Sequence, residues 1–426
     1  MTSYPKGMVV QGHVTEPAAI RSGARNTVTP DVVRNRSLTR LDRVAYGAVR
    51  KALSSSSGRE AMMRRRHFLE LSATLGAGAA VAWSGPAGAA PGATPGRDDR
   101  AAGPRHPRYD LIVAADGSGD VTTVQAAIDA APAGALTPYR IGVRPGGYLG
   151  QVIVPAEKTN LELRGLGRAP AEVLIADDRA NGTLKPDGTP WGTSGSASVT
   201  ISGAGFRAAN LTFANLFDEA AHPEITNRQA VAVLTRADRL VFERVRFLAN
   251  QDTLYVNSTA AGVIARAYFR DCYVEGDVDF IFGRATAVFD RCRIHSLNRG
   301  STPNGYVTAP STDIANPHGL LFAHCRLTSD APAGTVYLGR PWHPSNDPNA
   351  IGETIIRNSW IGAHIGATAW SDFGTWPWRQ ARLAEFRNTG PGAIASPDRP
   401  QLTPSEAAGN DIADFLRGAD GWSPHC

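Results

Sequence analysis

From Tyr109 onward, apolar and polar residues alternate in short runs interrupted by Gly and Pro. Tyr109-Asp110-Leu111-Ile112-Val113-Ala114, Tyr139-Arg140-Ile141-Gly142-Val143, Gln151-Val152-Ile153-Val154 and Leu161-Glu162-Leu163-Arg164-Gly165 read as strands, and the last three have no helix-length spacer between them. Either a sandwich or a solenoid fits that pattern. A repeat further along favours the solenoid. Phe242-Glu243-Arg244-Val245-Arg246-Phe247, Phe269-Arg270-Asp271-Cys272-Tyr273-Val274, Phe289-Asp290-Arg291-Cys292-Arg293-Ile294 and Phe322-Ala323-His324-Cys325-Arg326-Leu327 share the pattern apolar-x-x-small-x-apolar, echoed by Ile356-Arg357-Asn358-Ser359-Trp360-Ile361. Their central residues follow Val245 at steps of 27, 20, 33 and 34, within the period of roughly 20 to 50 residues typical of stacked repeats. The pattern predicts an all-β parallel β-helix whose equivalent positions lie one above another.

Two helical signals flank the strands. Thr122 or Thr123 can cap a short helix through Ala131, with Val124, Ala127 and Ile128 on one face and Pro132 stopping it. Such a helix would cover the first open sheet edge. Near the end, Thr403-Pro404-Ser405-Glu406 is a capping box, and Ala407, Ile412, Phe415 and Leu416 predict one helix packed back on the coils and ended by Gly418.

Residues 1–61 are Arg- and Ser-rich and lack an apolar period, so no fold is expected there. Residues 62–90 hold Arg64-Arg65-Arg66-His67-Phe68-Leu69, a small-residue apolar run from Ser72 to Trp83, and Ala87-Gly88-Ala89. That order predicts an export signal of twin-arginine (Tat) type, with Met62 or Met63 as the start of translation. The apolar run is too short to span a bilayer, so the mature form is expected to be secreted, with no membrane attachment. A Pro/Gly/Arg linker over 91–107 precedes the catalytic β-helix, assigned to 108–398, and the C-terminal helix and tail, 399–426.

Gly (44) and Pro (29) exceed their usual combined share of roughly 12%, in keeping with frequent turns. The net charge of +5 would suit a nucleic-acid partner, but it resides in the leader. Beyond residue 89 there are 31 Lys and Arg against 34 Asp and Glu. No nucleic-acid partner is expected, and the protein is taken as a monomer.

Cys272 and Cys292 hold the same slot in adjacent repeats. Stacked strands lie about 4.8 Å apart, within the Cα separation a disulfide tolerates, so a bridge is expected; the alternative is a pair of small buried thiols. Cys325 either extends that ladder unpaired or meets Cys426. No Cys/His cluster has zinc spacing, and no metal or other cofactor is expected.

The stretch from Gln251 to Gly283 carries the chemistry. Gln251-Asp252-Thr253-Leu254-Tyr255 and Val278-Asp279-Phe280-Ile281-Phe282-Gly283 each set a carboxylate among apolar β-formers, where an unpaired charge is costly. Together with Gln229-Ala230-Val231-Ala232-Val233 and Leu338-Gly339-Arg340-Pro341-Trp342, these motifs resemble, in order and approximate spacing, those of pectin methylesterases. The resemblance runs from about Tyr109 to the C-terminus. It implies a right-handed parallel β-helix and the release of methanol from methyl-esterified homogalacturonan, a pectin. In that reading Asp279 attacks the ester carbonyl, Asp252 serves as acid and base, and Arg340 holds Asp279 ionised. Gln229 and Gln251 bring neutral amide donors suited to an oxyanion. Tyr255, Phe282 and Trp342 would stack on sugar rings, or be ordinary core. Gly150 departs from the family pattern, which has Glu there.

A serine route lacks its motif, since Gly192-Thr193-Ser194-Gly195-Ser196 has Ser where a second Gly belongs. The alternatives are another pectin-active β-helix enzyme, such as a polygalacturonase or lyase, and a non-catalytic carbohydrate-binding β-helix. The first needs a carboxylate pair spaced for ring chemistry or a calcium cluster. The second needs only the aromatics.

Overall fold

The computed structural model describes residues 109–424; the upstream segment, the predicted export signal and linker, and Cys426 lie outside the described residues. Within them, three sheets of ten, eight and seven strands run side by side, and the paired strands within each are parallel. Successive strands visit the ten-, eight- and seven-stranded sheets in turn, so each circuit forms one coil of a parallel β-helix.

The sequence repeat is the register of the coils. Phe242 pairs with Phe269, Phe269 with Phe289, Phe289 with Phe322, and Phe322 with Ile356. The four rings stack inside the helix at centroid distances of 4.7, 4.6 and 4.6 Å, within 10° of parallel. The third residue of each repeat turns the corner with a left-handed backbone: Arg244, Asp271, Arg291, His324 and Asn358 have φ between +50 and +56°. That conformation is uncommon for side-chain-bearing residues, yet the corner recurs in each of these five coils because the fourth residue must enter the core. Ala208-Ala209-Asn210-Leu211-Thr212-Phe213 is a further copy one coil earlier, with Ala208 opposite Phe242 and Asn210 at φ +56°.

Cys272, Cys292 and Cys325 are buried free thiols, so the expected Cys272–Cys292 bridge does not form. Parallel in-register stacking keeps equivalent Cβ atoms about one strand spacing apart, roughly 4.8 Å, whereas a disulfide needs about 3.5–4.5 Å. Each thiol donates instead to a carbonyl of the preceding coil: Cys272 to Phe242 at 3.4 Å, Cys292 to Phe269 at 3.3 Å, and Cys325 to Phe289 at 3.2 Å.

Helix α1, Val124–Ala130, is capped by the Thr123 side chain and buries Val124, Ala127 and Ile128. It covers the edge strand Val152–Val154 as expected. The Gln125 amide accepts from the Ile153 N–H at 2.7 Å and donates to the Ile153 carbonyl at 3.1 Å, pairing backbone groups at the open edge. The predicted C-terminal helix is instead two, α2 (Pro404–Ala408) and α3 (Ile412–Arg417). Gly409 ends the first, and Asp411 caps the second with its own capping box through Asp414. Phe415 and Leu416 of α3 pack on Val241, Tyr268, Val288, Leu321 and Ile355, the outer face of the ten-stranded sheet. No helix among the described residues is long and apolar enough to cross a membrane.

Candidate active site

The seven-stranded sheet carries the site. Strands Leu254–Val256 and Ile281–Gly283 pair with Leu254 opposite Ile281 and Tyr255 opposite Phe282. Two residues earlier on each lie Asp252 and Asp279, which therefore share one slot on adjacent coils, about one strand spacing apart. Both have left-handed backbones, φ +67° and +50°, which Asp tolerates better than most residues. Both are buried.

Arg340 follows strand Val336–Gly339, two coils further on. Its guanidinium reaches back to Asp279, Nε donating to Oδ1 at 2.9 Å and Nη2 to Oδ2 at 2.7 Å. The ring of Tyr306 lies 3.8 Å from the guanidinium carbon and that of Phe373 4.6 Å from it. A fork held between two rings and bonded through two atoms fixes both the charge and the orientation of the carboxylate.

The two aspartates consequently differ in acidity. Burial raises the Asp279 pKa above the usual carboxylate value, and the hydrogen bonds and charge of Arg340 oppose that rise. Asp252 is pushed well above its usual value by burial and then by the negative charge of Asp279, with only the more distant attraction of Arg340 against them. Of the pair, Asp279 ionises more readily, and Asp252 holds its proton to higher pH.

Gln229 and Gln251 sit at the junction of neighbouring coils, where the Ala230 N–H donates to the Gln251 carbonyl at 3.2 Å. The Gln229 side-chain oxygen position is buried without a hydrogen-bond partner among the described residues. Among the described residues no side-chain hydrogen bond fixes which end of this amide points there.

The three predicted aromatics form one cluster. Tyr255 stacks on Phe282 at 4.2 Å and 16°, and Trp342 meets both edge-on at 6.0 and 5.6 Å. With Ala197, Val231, Leu234 and Ala309 they make an apolar patch on the sheet that bears the carboxylates. Tyr255 and Phe282 are largely buried, and Trp342 is half-buried.

Several neighbours escaped the sequence reading. Asp277, buried two residues before Asp279, accepts from Asn250 Nδ2 at 3.2 Å, and its charge acts on both aspartates. Its place in the same short stretch was a usable signal. Tyr306 was also findable, since Thr308 pairs with Ile281 and the same register sets Tyr306 opposite Asp279. Glu219, whose charge also acts on Asp252, and Phe373 come from loops with no repeat to locate them.

Gly150 has φ +118°, a conformation that strains any side-chain-bearing residue, so a glutamate would not fit this turn as it stands. Ser194 accepts from Arg236 Nη2 at 3.0 Å, a cation rather than a base, which leaves its hydroxyl unactivated. Among the described residues no group of three or more His, Cys, Asp or Glu could hold a metal ion. What the arrangement offers is a carboxylate held by an arginine fork beside one that keeps its proton to higher pH, on a sheet that also carries an apolar patch.

The Pectinesterase family model matches residues 110–401. Pectinesterase A of Dickeya dadantii is 38% identical over 339 residues, covering 70% of this chain and 88% of that protein. Pectinesterase 31 of Arabidopsis thaliana is 34% identical over 292 residues, covering 67% and 84%. Among solved structures, a pectin methylesterase in complex with a hexasaccharide superimposes with a TM-score of 0.68 at 35% identity, covering 75% of this chain and 99% of that one. The carrot pectin methylesterase gives 0.62 at 31%, covering 74% and 94%.

Proposed function

The chain belongs to the pectinesterase family, and from that premise we propose that it hydrolyses the methyl esters of pectin with Asp279 as nucleophile and Asp252 as acid and base. The observation that carries this reading is the two-bond Arg340–Asp279 pair beside a carboxylate whose pKa is pushed well up. An ionised Asp279 attacks the ester carbonyl, and the amide groups of Gln229 and Gln251 receive the negative charge that develops on oxygen; one such donor is worth roughly 10²- to 10³-fold in rate. The tetrahedral adduct collapses by breaking the bond to methoxide, to which Asp252 gives its proton, and methanol leaves. The sugar is then joined to Asp279 as an anhydride. Asp252, now ionised, takes a proton from water, and the resulting hydroxide attacks the sugar carbonyl and frees both carboxylates. The cycle returns Asp252 protonated and Asp279 ionised. Tyr255, Phe282 and Trp342 form the floor for the sugar rings, whose apolar faces suit such a surface. The leader sequence supports export of the protein to the pectin outside the cell.

The test is incubation with highly methylated pectin while methanol and chain length are followed. Methanol with chains of undiminished length is the expected result. Shortened chains would transfer the site to glycosidic chemistry, and an inert protein would leave only carbohydrate binding.

Arg340 also sets a pH dependence. Arg340→Lys keeps a positive charge but loses the fork, so Asp279 holds its proton to higher pH. The acid limb of kcat should move upward in pH, with a smaller change near the alkaline plateau. An acid limb unmoved by the substitution would remove Arg340 from control of the nucleophile.

A further inference from the structure

Each coil passes from the ten-stranded to the eight-stranded sheet through the same corner, and the third and fifth residues of the repeat face outward there, because the fourth and sixth fill the core. The fifth positions form one continuous column, Arg246–Tyr273–Arg293–Arg326–Trp360 in successive register. The guanidinium carbons of Arg246 and Arg293 each lie 5.9 Å from the Tyr273 ring, and that of Arg326 lies 4.0 Å from the Trp360 ring. Arg244 joins them from the adjacent third-position column, exposed at its left-handed corner. Among the described residues none of Arg244, Arg246, Arg293 and Arg326 has a carboxylate partner. Of the acids at this corner, Asp271 is engaged by Arg270 at 3.4 Å and Arg291 at 3.2 Å, and the buried Glu275 carboxylate accepts from Tyr273 Oη at 2.7 Å, near Arg246 and Arg293 but in an ion pair with neither. The chain beyond its leader carries more acidic than basic residues, so four arginines without an ion pair on one corner are a local concentration and not the overflow of a basic protein.

We propose that this corner is a second binding surface, for the de-esterified polyuronate that the active site produces. The inference rests on the pectinesterase reading, because that reaction turns neutral methyl esters into a row of carboxylates. Arginines spaced by one and two coils, about 5 and 10 Å, meet a row of carboxylates with repeated charge-assisted hydrogen bonds and gain little from the methylated chain. Tyr273 and Trp360 hold the guanidinium groups in place and offer apolar faces between them. Each coil visits the ten-, eight- and seven-stranded sheets in turn, so the corner between the first two lies across the helix from the seven-stranded sheet. Product held there leaves the active-site groove open, and the enzyme stays on polymer it has already begun to de-esterify.

The test uses the full chain and a variant combining Arg244→Asn, Arg246→Gln, Arg293→Gln and Arg326→Gln; Asn tolerates the left-handed backbone at 244. Retention on polygalacturonate, on highly methylated pectin and on heparin is measured by affinity electrophoresis at two salt concentrations, with methanol release from short, fully methylated oligosaccharides as control. The expected result is polygalacturonate affinity lowered by roughly tenfold or more at low salt, with less difference at high salt, and methanol release unchanged. Equal retention of the two proteins on polygalacturonate, or retention of the native protein on heparin as strong as on polygalacturonate, overturns the proposal. Should the combined variant melt early, Arg326→Gln alone, at an exposed position, takes its place and should lower retention in the same direction. Absence of methanol release by the native protein would instead reject the assignment of the active site, a result the retention measurement does not share.

Discussion

Asp279→Ala should reduce methanol release by at least about 10⁴-fold, the scale on which removal of a covalent nucleophile acts. No neighbour can replace it, since Asp252 has no fork of its own and Asp277 is engaged by Asn250 and by the Val278 N–H at 2.7 Å. The loss should fall on kcat, with KM little changed, because in the proposed reading the sugar rings rest on Tyr255, Phe282 and Trp342 rather than on the carboxylate. Removing the side chain also leaves the Arg340 charge without its partner, so the fold has to be checked by its melting curve. Asp279→Asn keeps the shape and a hydrogen-bond acceptor and should be as inactive. Either variant retaining a tenth of the native rate would eliminate Asp279 as the attacking group.

Asp252→Asn should lower kcat by roughly 10²- to 10⁴-fold, the usual range for a general acid and base, and should stabilise the fold at neutral pH. Burial and the neighbouring Asp279 raise the Asp252 pKa well above the value it has in the unfolded chain. The native state therefore binds this proton more tightly than the unfolded state does. The stability this contributes is fully present below the unfolded pKa, near 4, and is lost as pH rises through the folded pKa. An asparagine has no proton to lose. Thermal melts should thus show the variant ahead of the native protein at neutral pH, with the gap closing as pH falls toward 4. A variant less stable than the native protein at neutral pH would contradict the described environment of Asp252, and undiminished kcat would remove its role in proton transfer.

These effects share a source in the coil register. Asp252 and Asp279 are neighbours because both precede strands that pair residue for residue, and Arg340 meets Asp279 across 61 residues because two further coils intervene. Stacking chains of this kind brings equivalent positions together without any turn designed for the purpose. It also explains the thiols: the geometry that aligns two carboxylates keeps Cys272 and Cys292 parallel and too far apart to bond.

The coil is written into the order of residues along the chain. Phe242, Phe269, Phe289 and Phe322 announced the stack, because an inward slot recurring at every turn demands the same kind of residue each time and writes its period into the chain. Thr123 and the Thr403–Glu406 box announced their helices through purely local bonding. Asp252, Asp279, Gln229, Gln251 and Arg340 are grouped by motifs that resemble those of pectin methylesterases, and of these Asp252, Asp279 and Arg340 come together in the fold; Gly409, which divides the last helix, is a local signal within a longer apolar pattern. Folding alone set which carboxylate Arg340 grips, that Tyr306 and Phe373 flank it, that Asp277 lies beside the pair, and that Cys272, Cys292 and Cys325 stay free thiols. Periodicity is a property of neighbours along the chain, whereas desolvation, charge coupling and bond-forming distance depend on what the other coils place around each group.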